Sequence, residues 1–154
     1  MRFFQASLFH GILAAMWTGL WAYPETNFTK IWIAGGPGTY LFIAYITYLV
    51  IGFLGMAAFG AAYYLIPQMA NKPLYNENLA LAHFALMNLG VLATWVLALV
   101  GITGGSLIMA GARMEVVHLS IAVYEIPLGG LMVLGILGVL VGALNLFLTT
   151  TKTK

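Results

Sequence analysis

The chain contains no cysteine among its 154 residues. This absence excludes disulfides, iron–sulfur clusters and metal sites built on thiolates. Charged side chains are nearly as scarce, since they make up 6% of the residues whereas hydrophobic side chains make up 62%. A soluble domain carries roughly 25% charged residues, so this chain cannot cover a surface that faces water. The formal net charge of +2 is also too small to indicate a nucleic-acid partner.

Long apolar runs take the place of the missing charges. A helix needs about 20 apolar residues to cross the hydrocarbon of a bilayer, and the sequence predicts four such helices, over residues 3–23, 39–66, 78–103 and 116–148. The connectors between them hold nearly all of the turn-forming and charged residues. We therefore predict a single transmembrane domain, residues 1–154, with an all-α fold: an integral membrane four-helix bundle surrounded by lipid.

The basic residues favour one orientation of these helices. An even number of spans places both termini on the same side as the second connector. The basic residues on that side are Arg2, Lys72, Lys152 and Lys154. Lys30 and Arg113 fall on the opposite side. The positive-inside rule then predicts that both termini are cytoplasmic, in the inner or plasma membrane of the cell.

Small residues recur at helical spacing in two of the predicted spans. They are Gly55, Ala58 and Ala62 in the second span, and Gly135, Gly138 and Gly142 in the fourth. Such stripes let helix backbones approach closely, either within one chain or between two copies. Because a four-helix bundle is small, we expect a homodimer, with the stripe of the fourth span as one possible seam.

Four ionisable side chains lie inside the predicted spans, and such residues are functional candidates. They are His10, His83, His118 and Glu125. Counted at about 1.5 Å per residue, His10 and His83 lie at nearly the same depth from the cytoplasmic end. Two imidazoles that face each other can supply both axial ligands of one haem. His118, near the outer end of the fourth span, is the substitute ligand.

Each of these residues also has a purely structural interpretation. A histidine inside a membrane can simply donate a hydrogen bond to a neighbouring helix. Glu125 precedes Pro127, which frees a backbone carbonyl, so the carboxylate serves either a proton path or a bond between helices. A copper or zinc site is disfavoured, because three or four ligands must converge and the candidate ligands lie at scattered depths.

One stretch of the chain has a distinctive sequence motif. Tyr63-Tyr64-Leu65-Ile66-Pro67 ends the second predicted span, and Pro73-Leu74-Tyr75 then leads into the third span at His83-Phe84. This order and spacing resemble the catalytic subunit of haem–copper oxidases, in particular the cbb-type cytochrome c oxidases and the related nitric oxide reductases. The resemblance covers residues 45–101. It implies a helical membrane fold, bound haem b and partners among respiratory-chain proteins.

The chain also departs from that family. Upstream of the proline, the family has a His-x-His pair that binds its haems, and the matching positions here are Tyr45 and Thr47. The copper histidines and the other helices of the family are missing as well. Reduction of oxygen or nitric oxide at a haem–copper centre is therefore not expected. Since tyrosine can bind haem iron, Tyr45 is an outside candidate ligand. His83 matches a family histidine that is usually structural.

Two hypotheses follow. In the first, this is a membrane protein that binds haem b without a copper centre and serves electron transfer or the binding of haem or a gas. His10 and His83 would then be the ligands of the iron, with His118 as the substitute. In the second, the chain is a haem-free structural subunit of a respiratory oxidase complex that keeps the helix arrangement of its relatives. Whether the chain is an enzyme is left open by either hypothesis.

Overall fold

The computed structural model describes residues 2–151, and all regular structure in that range is helical, without a strand. The helices are α1 (Arg2–Ala22), α2 (Phe28–Ile33), α3 (Thr39–Thr47), α4 (Met56–Ala70), α5 (Glu77–Met109), α6 (Met114–Ala122) and α7 (Glu125–Thr151). A π-helical segment, Tyr48–Gly55, joins α3 to α4 without a break. Short 3-10 turns occupy Pro24–Thr26 and Gly36–Gly38. The predicted all-α fold is confirmed.

Within residues 2–151, four helical stretches are long and apolar enough to cross a membrane. We number them spans one to four: Arg2–Ala22, Gly36–Ala70, Glu77–Met109 and Glu125–Thr151. Span three is α5, which packs against spans two and four. It also meets span one through side chains, namely His10 with Asn88 and Trp17 with Trp95, and so forms the centre of the bundle. The protein is therefore a helical membrane protein with the predicted number of spans.

Two predicted boundaries were wrong at the far end of the bundle. Gly104 and Gly105 belong to α5 rather than to a connector, because their missing side chains let α5 pack against Pro37 and Ile31. The helix predicted over 116–148 is interrupted at residues 123–124, between α6 and α7. Pro127 explains the interruption, since proline lacks the N–H that would bond to the preceding turn and its ring crowds that turn. In the first turn of α7, where it lies, neither is a disadvantage.

Two asparagines determine the conformation of the turn between α4 and α5. Asn71 ends α4 in the left-handed conformation, with φ of 49°, which asparagine tolerates better than most residues. Asn76 begins α5 as its N-cap: its side-chain oxygen accepts hydrogen bonds from the backbone N–H groups of Asn78 at 2.8 Å and Leu79 at 3.1 Å. The turn is thus capped on both sides by local hydrogen bonds.

Span four holds this turn in place. Asn145 is fully buried, and its amide group accepts from the backbone N–H of Asn76 at 3.1 Å and donates to the carbonyl of the same residue at 2.9 Å. The Lys72 ammonium donates to the Thr150 carbonyl at 2.8 Å. At the same end, Phe3 stacks on Tyr63 at 5.2 Å. The start of span one and the end of span four therefore lie together, as predicted, while their side of the membrane stays a prediction.

The glycine stripe of span four is used within the chain. A Cβ atom on Gly135 would lie 3.1 Å from the Cα of Gly90, and one on Gly138 would lie 3.0 Å from Leu86. A Cβ on Gly142 would overlap the ring of His83. The stripe therefore packs α7 against α5, which is one of the two arrangements left open by the sequence. The homodimer stays a prediction, without this stripe as its seam.

We predict that Gly142→Ala destabilises the bundle whereas Gly129→Ala does not. Both glycines lie on α7, but a Cβ on Gly129 would meet nothing within 4 Å. Overpacking a tight contact costs about 1–3 kcal/mol, and alanine otherwise favours helix. Thermal unfolding in detergent, followed by circular dichroism, measures the difference. Equal unfolding temperatures for the two variants would show that α7 does not press on His83.

Candidate functional site

The polar centre of the bundle lies where α1 crosses the π segment. The Ser7 hydroxyl donates to the carbonyl of Phe53 at 2.9 Å. Next to this contact, Gly52 leaves space for two polar rings: a Cβ there would lie 3.5 Å from both His10 and Tyr48. π-helical turns are rare and occur frequently at functional sites. The wide turn and the missing side chain together admit His10 to the interior.

His10 is buried between two other spans, and both of its ring nitrogens have partners. Its Nδ1 lies 2.8 Å from the hydroxyl of Tyr48 in span two. Its Nε2 lies 3.3 Å from the side-chain oxygen of Asn88 in span three. Asn88 in turn donates from Nδ2 to the carbonyl of Phe84 at 2.7 Å. The imidazole therefore links spans one, two and three.

The direction of each hydrogen bond in the series Tyr48–His10–Asn88–Phe84 follows from the bond between Asn88 and the Phe84 carbonyl. A carbonyl only accepts, so the Asn88 amide nitrogen must point at Phe84 and its oxygen at His10. That oxygen also only accepts, so the proton of a neutral His10 ring resides on Nε2. Nδ1 is then the acceptor for the Tyr48 hydroxyl. No lone pair of the His10 ring is left for a metal ion.

An aromatic shell fixes Tyr48 in this role. Trp17 and Trp95 stack on each other at 4.8 Å, and their rings lie 5.5 Å and 5.3 Å from that of Tyr48. Tyr48 is fully buried. Neither Tyr48 nor Asn88 was among the candidates predicted from the sequence. An asparagine in the middle of an apolar span was the signal for the second of these.

His83 lies nearer the end of the bundle that holds the turn 71–76. It is fully buried, and its Nδ1 lies 3.1 Å from the Tyr63 hydroxyl of α4. The ring of Phe59 stands perpendicular to it at 4.3 Å, and that of Phe3 lies at 5.0 Å. Its Nε2 is buried and has no hydrogen-bond partner among the described residues. An unpaired polar atom is costly in a membrane interior.

The two histidines do not share a level, so the sequence prediction of equal depth was wrong. Phe3, seven residues before His10, is the α1 residue beside His83. His10 lies instead beside Asn88, five residues after His83 on α5. Five helical residues correspond to about 7.5 Å along the axis. The physical reason is the stagger of α1 against α5, which counting from each helix end cannot reveal.

The remaining candidates are dispersed. His118 lies on α6 rather than in span four, and it is exposed. Glu125 is also exposed, as the first residue of α7, where a carboxylate suits the helix dipole. The Tyr45 hydroxyl shares a hydrogen bond of 2.7 Å with Thr18. Within residues 2–151, no three histidine, aspartate or glutamate side chains come together as a metal site.

A haem held between His10 and His83 does not fit this arrangement. Both axial imidazoles must reach one iron atom, whereas these rings lie at different heights. The Nε2–H of His10 donates a hydrogen bond to Asn88, and its Nδ1 accepts one from Tyr48. Of the four ring nitrogens of these two histidines, Nε2 of His83 alone has no partner among the described residues, and it is buried. The histidine pair joins helices and leaves no common position for a porphyrin iron.

Comparison of the chain with protein-family models, with curated proteins and with solved structures finds no match in any of the three. The resemblance to haem–copper oxidase subunit I therefore stays a prediction from residues 45–101.

Removing the Tyr48 hydroxyl should loosen the bundle. In Tyr48→Phe, the lone pair on His10 Nδ1 loses its donor inside an apolar core. Hydrogen bonds between membrane helices contribute about 0.6–1.7 kcal/mol, so we expect a loss of stability of that size. Tyr40→Phe is the matched control, because Tyr40 is 43% exposed on the same span. Unfolding in detergent measures both, and indistinguishable variants would mean that the bond at Tyr48 does not stabilise the fold.

Proposed function

We propose that this protein is a structural subunit of a membrane complex and that its buried histidines join helices instead of binding haem. The observation that supports this function is the hydrogen-bonded chain from Tyr48 through His10 to Asn88. A polar group without a partner costs several kcal/mol in hydrocarbon. Each link of the chain therefore fixes the position of one span against the next.

The other interhelical bonds have the same effect. Tyr63 links α4 to His83 on α5, and Asn145 links α7 to the start of α5. Together with His10 and Asn88, they attach every other span to span three. Such an arrangement suits a rigid module that presents fixed faces to a neighbouring protein. The side chains in it are used for positioning, and the described residues place no free carboxylate beside either buried histidine.

The partner follows from the resemblance in sequence. The stretch that resembles the oxidase family includes Tyr63, Pro67 and His83, and these residues lie at the end of the bundle tied down by Asn145. Subunits of a respiratory oxidase complex are accordingly the proposed partners. In such a complex, the chain would retain the helix arrangement of the family without its haem and copper ligands.

One observation favours haem b binding as a second candidate function. Nε2 of His83 is buried and has no partner among the described residues. In the tautomer that carries the proton on Nδ1 and donates it to Tyr63, Nε2 has a lone pair that could bind haem iron. In this alternative, His83 alone would hold the iron. A bound haem would supply one-electron transfer or gas binding, while this chain would contribute the ligand and the apolar surroundings of Phe3 and Phe59.

Purification of the full chain from its native membranes in mild detergent distinguishes the two functions. We expect copurification with oxidase subunits and no Soret absorbance that remains with this chain once it is separated from them. His83→Ala and His118→Ala provide a matched pair, since one histidine is buried and the other exposed. A Soret band lost only in His83→Ala would overturn the structural function and establish the second. A colourless protein that associates with no membrane protein would contradict both.

A further inference from the structure

Tryptophan and tyrosine rings form a continuous series from one end of the bundle to its centre. The series begins at Trp32 on α2, which is 37% exposed. The centroid of its ring lies 6.0 Å from that of Trp21, which in turn lies 6.0 Å from that of Tyr45. Trp17 follows at 5.8 Å from Tyr45, and Tyr48 at 5.5 Å from Trp17. Each step is therefore an ordinary contact between packed aromatic rings.

Every ring in this series is of a kind that can lose one electron. Indole and phenol rings are oxidised far more readily than the ring of phenylalanine, and the sequence has no cysteine to compete with them. Because electron tunnelling slows steeply with distance, contacting rings let an electron move in short steps. At the inner end, Trp95 stacks on Trp17 with ring centroids 4.8 Å apart, and it lies 5.3 Å from Tyr48. The face of one indole stabilises a positive charge on the other.

The phenolic proton of Tyr48 has an acceptor in the bundle. A phenol that loses an electron becomes a strong acid, and the bilayer interior holds no water to take the proton. The buried hydroxyl of Tyr48 lies 2.8 Å from Nδ1 of His10. The lone pair of that nitrogen is directed at the hydroxyl, because Asn88 holds the ring proton on Nε2. Asn88 can keep accepting this bond once the ring is an imidazolium.

Two other tyrosines each have half of this arrangement. Tyr45 belongs to the series, but its hydroxyl bonds at 2.7 Å to the hydroxyl of Thr18, which is far too weak a base to accept the proton. Tyr63 lies 3.1 Å from Nδ1 of His83, but the ring stacked on it is a phenylalanine instead of an indole. Tyr48 combines a base for its proton with a pair of indoles for its electron.

We propose that Tyr48 is a one-electron redox site served by this series of rings. A strong one-electron oxidant outside the chain, of the class of high-valent metal complexes, removes an electron and leaves a positive charge on Trp17. Tyr48 then gives one electron to Trp17, while its O–H bond breaks and the proton forms an N–H bond at Nδ1 of His10. The products are a neutral indole, a neutral tyrosyl radical and an imidazolium, so the single positive charge is conserved. This activity requires neither a partner subunit nor haem at His83.

Flash-quench oxidation of the full chain in detergent tests the site. A flash of light and a cobalt(III) electron acceptor convert an added ruthenium(II) tris-bipyridine complex to ruthenium(III), the oxidant. Electron paramagnetic resonance and transient absorbance then distinguish tyrosyl from indole radicals. We expect a neutral tyrosyl radical that is lost in Tyr48→Phe and kept in Tyr63→Phe, the matched control. Trp17→Phe, which interrupts the series, should form the radical several-fold more slowly.

Labelling of histidine with nitrogen-15 links the radical to His10. We expect electron–nuclear double resonance to show coupling between the tyrosyl radical and a hydrogen-bonded histidine nitrogen. Indole radicals alone in the unaltered protein, or a tyrosyl signal that survives in Tyr48→Phe, would overturn the proposal. An unchanged rate in Trp17→Phe would overturn the route. If Tyr48→Phe does not fold, Tyr63→Phe decides: histidine coupling that persists there supports the Tyr48–His10 pair, and its disappearance overturns it.

Discussion

The absence of water from the bilayer interior is the constraint on which this structure depends. A buried polar side chain can find a partner only within the protein, because lipid offers none. His10 meets this demand with Tyr48 and Asn88, and its two bonds determine which way the ring and the amide point. As a result, a few polar residues form hydrogen bonds that fix one span against another. Span three, together with its N-cap Asn76, receives such a bond from each of the other spans and lies at the centre of the bundle.

Close packing and polar bonding occur at the same places. Gly52 lies against His10, and Gly142 lies against His83. In each case, a missing side chain lets an imidazole sit between helices that would otherwise be held apart. The interior has little hydrophobic drive of its own in lipid, so shape complementarity of this kind contributes to holding the helices together. A histidine and its glycine neighbour therefore act as one unit, and changing either disturbs both.

The sequence predicted the four spans well, because about 20 apolar residues in a row have few other uses. The predicted helix boundaries were wrong where glycine or proline is compatible with two different local structures. Gly104 and Gly105 look like a turn, yet in a membrane helix glycine also permits close packing. Pro127 was placed inside one long predicted helix, 116–148, whereas it lies in the first turn of a new one. The chain Tyr48–His10–Asn88 was out of reach, since it depends on the stagger of α1 and on the π segment.

The hydrogen-bonded series Tyr48–His10–Asn88 can be checked through the protonation of the His10 ring. Nitrogen-15 NMR of the protein labelled at histidine, in lipid bilayers, distinguishes the two ring nitrogens, and His10→Gln assigns the signal. The prediction is a neutral His10 ring that carries its proton on Nε2 and accepts a hydrogen bond on Nδ1. A proton on Nδ1, or signals shifted and broadened by a bound iron, would contradict it.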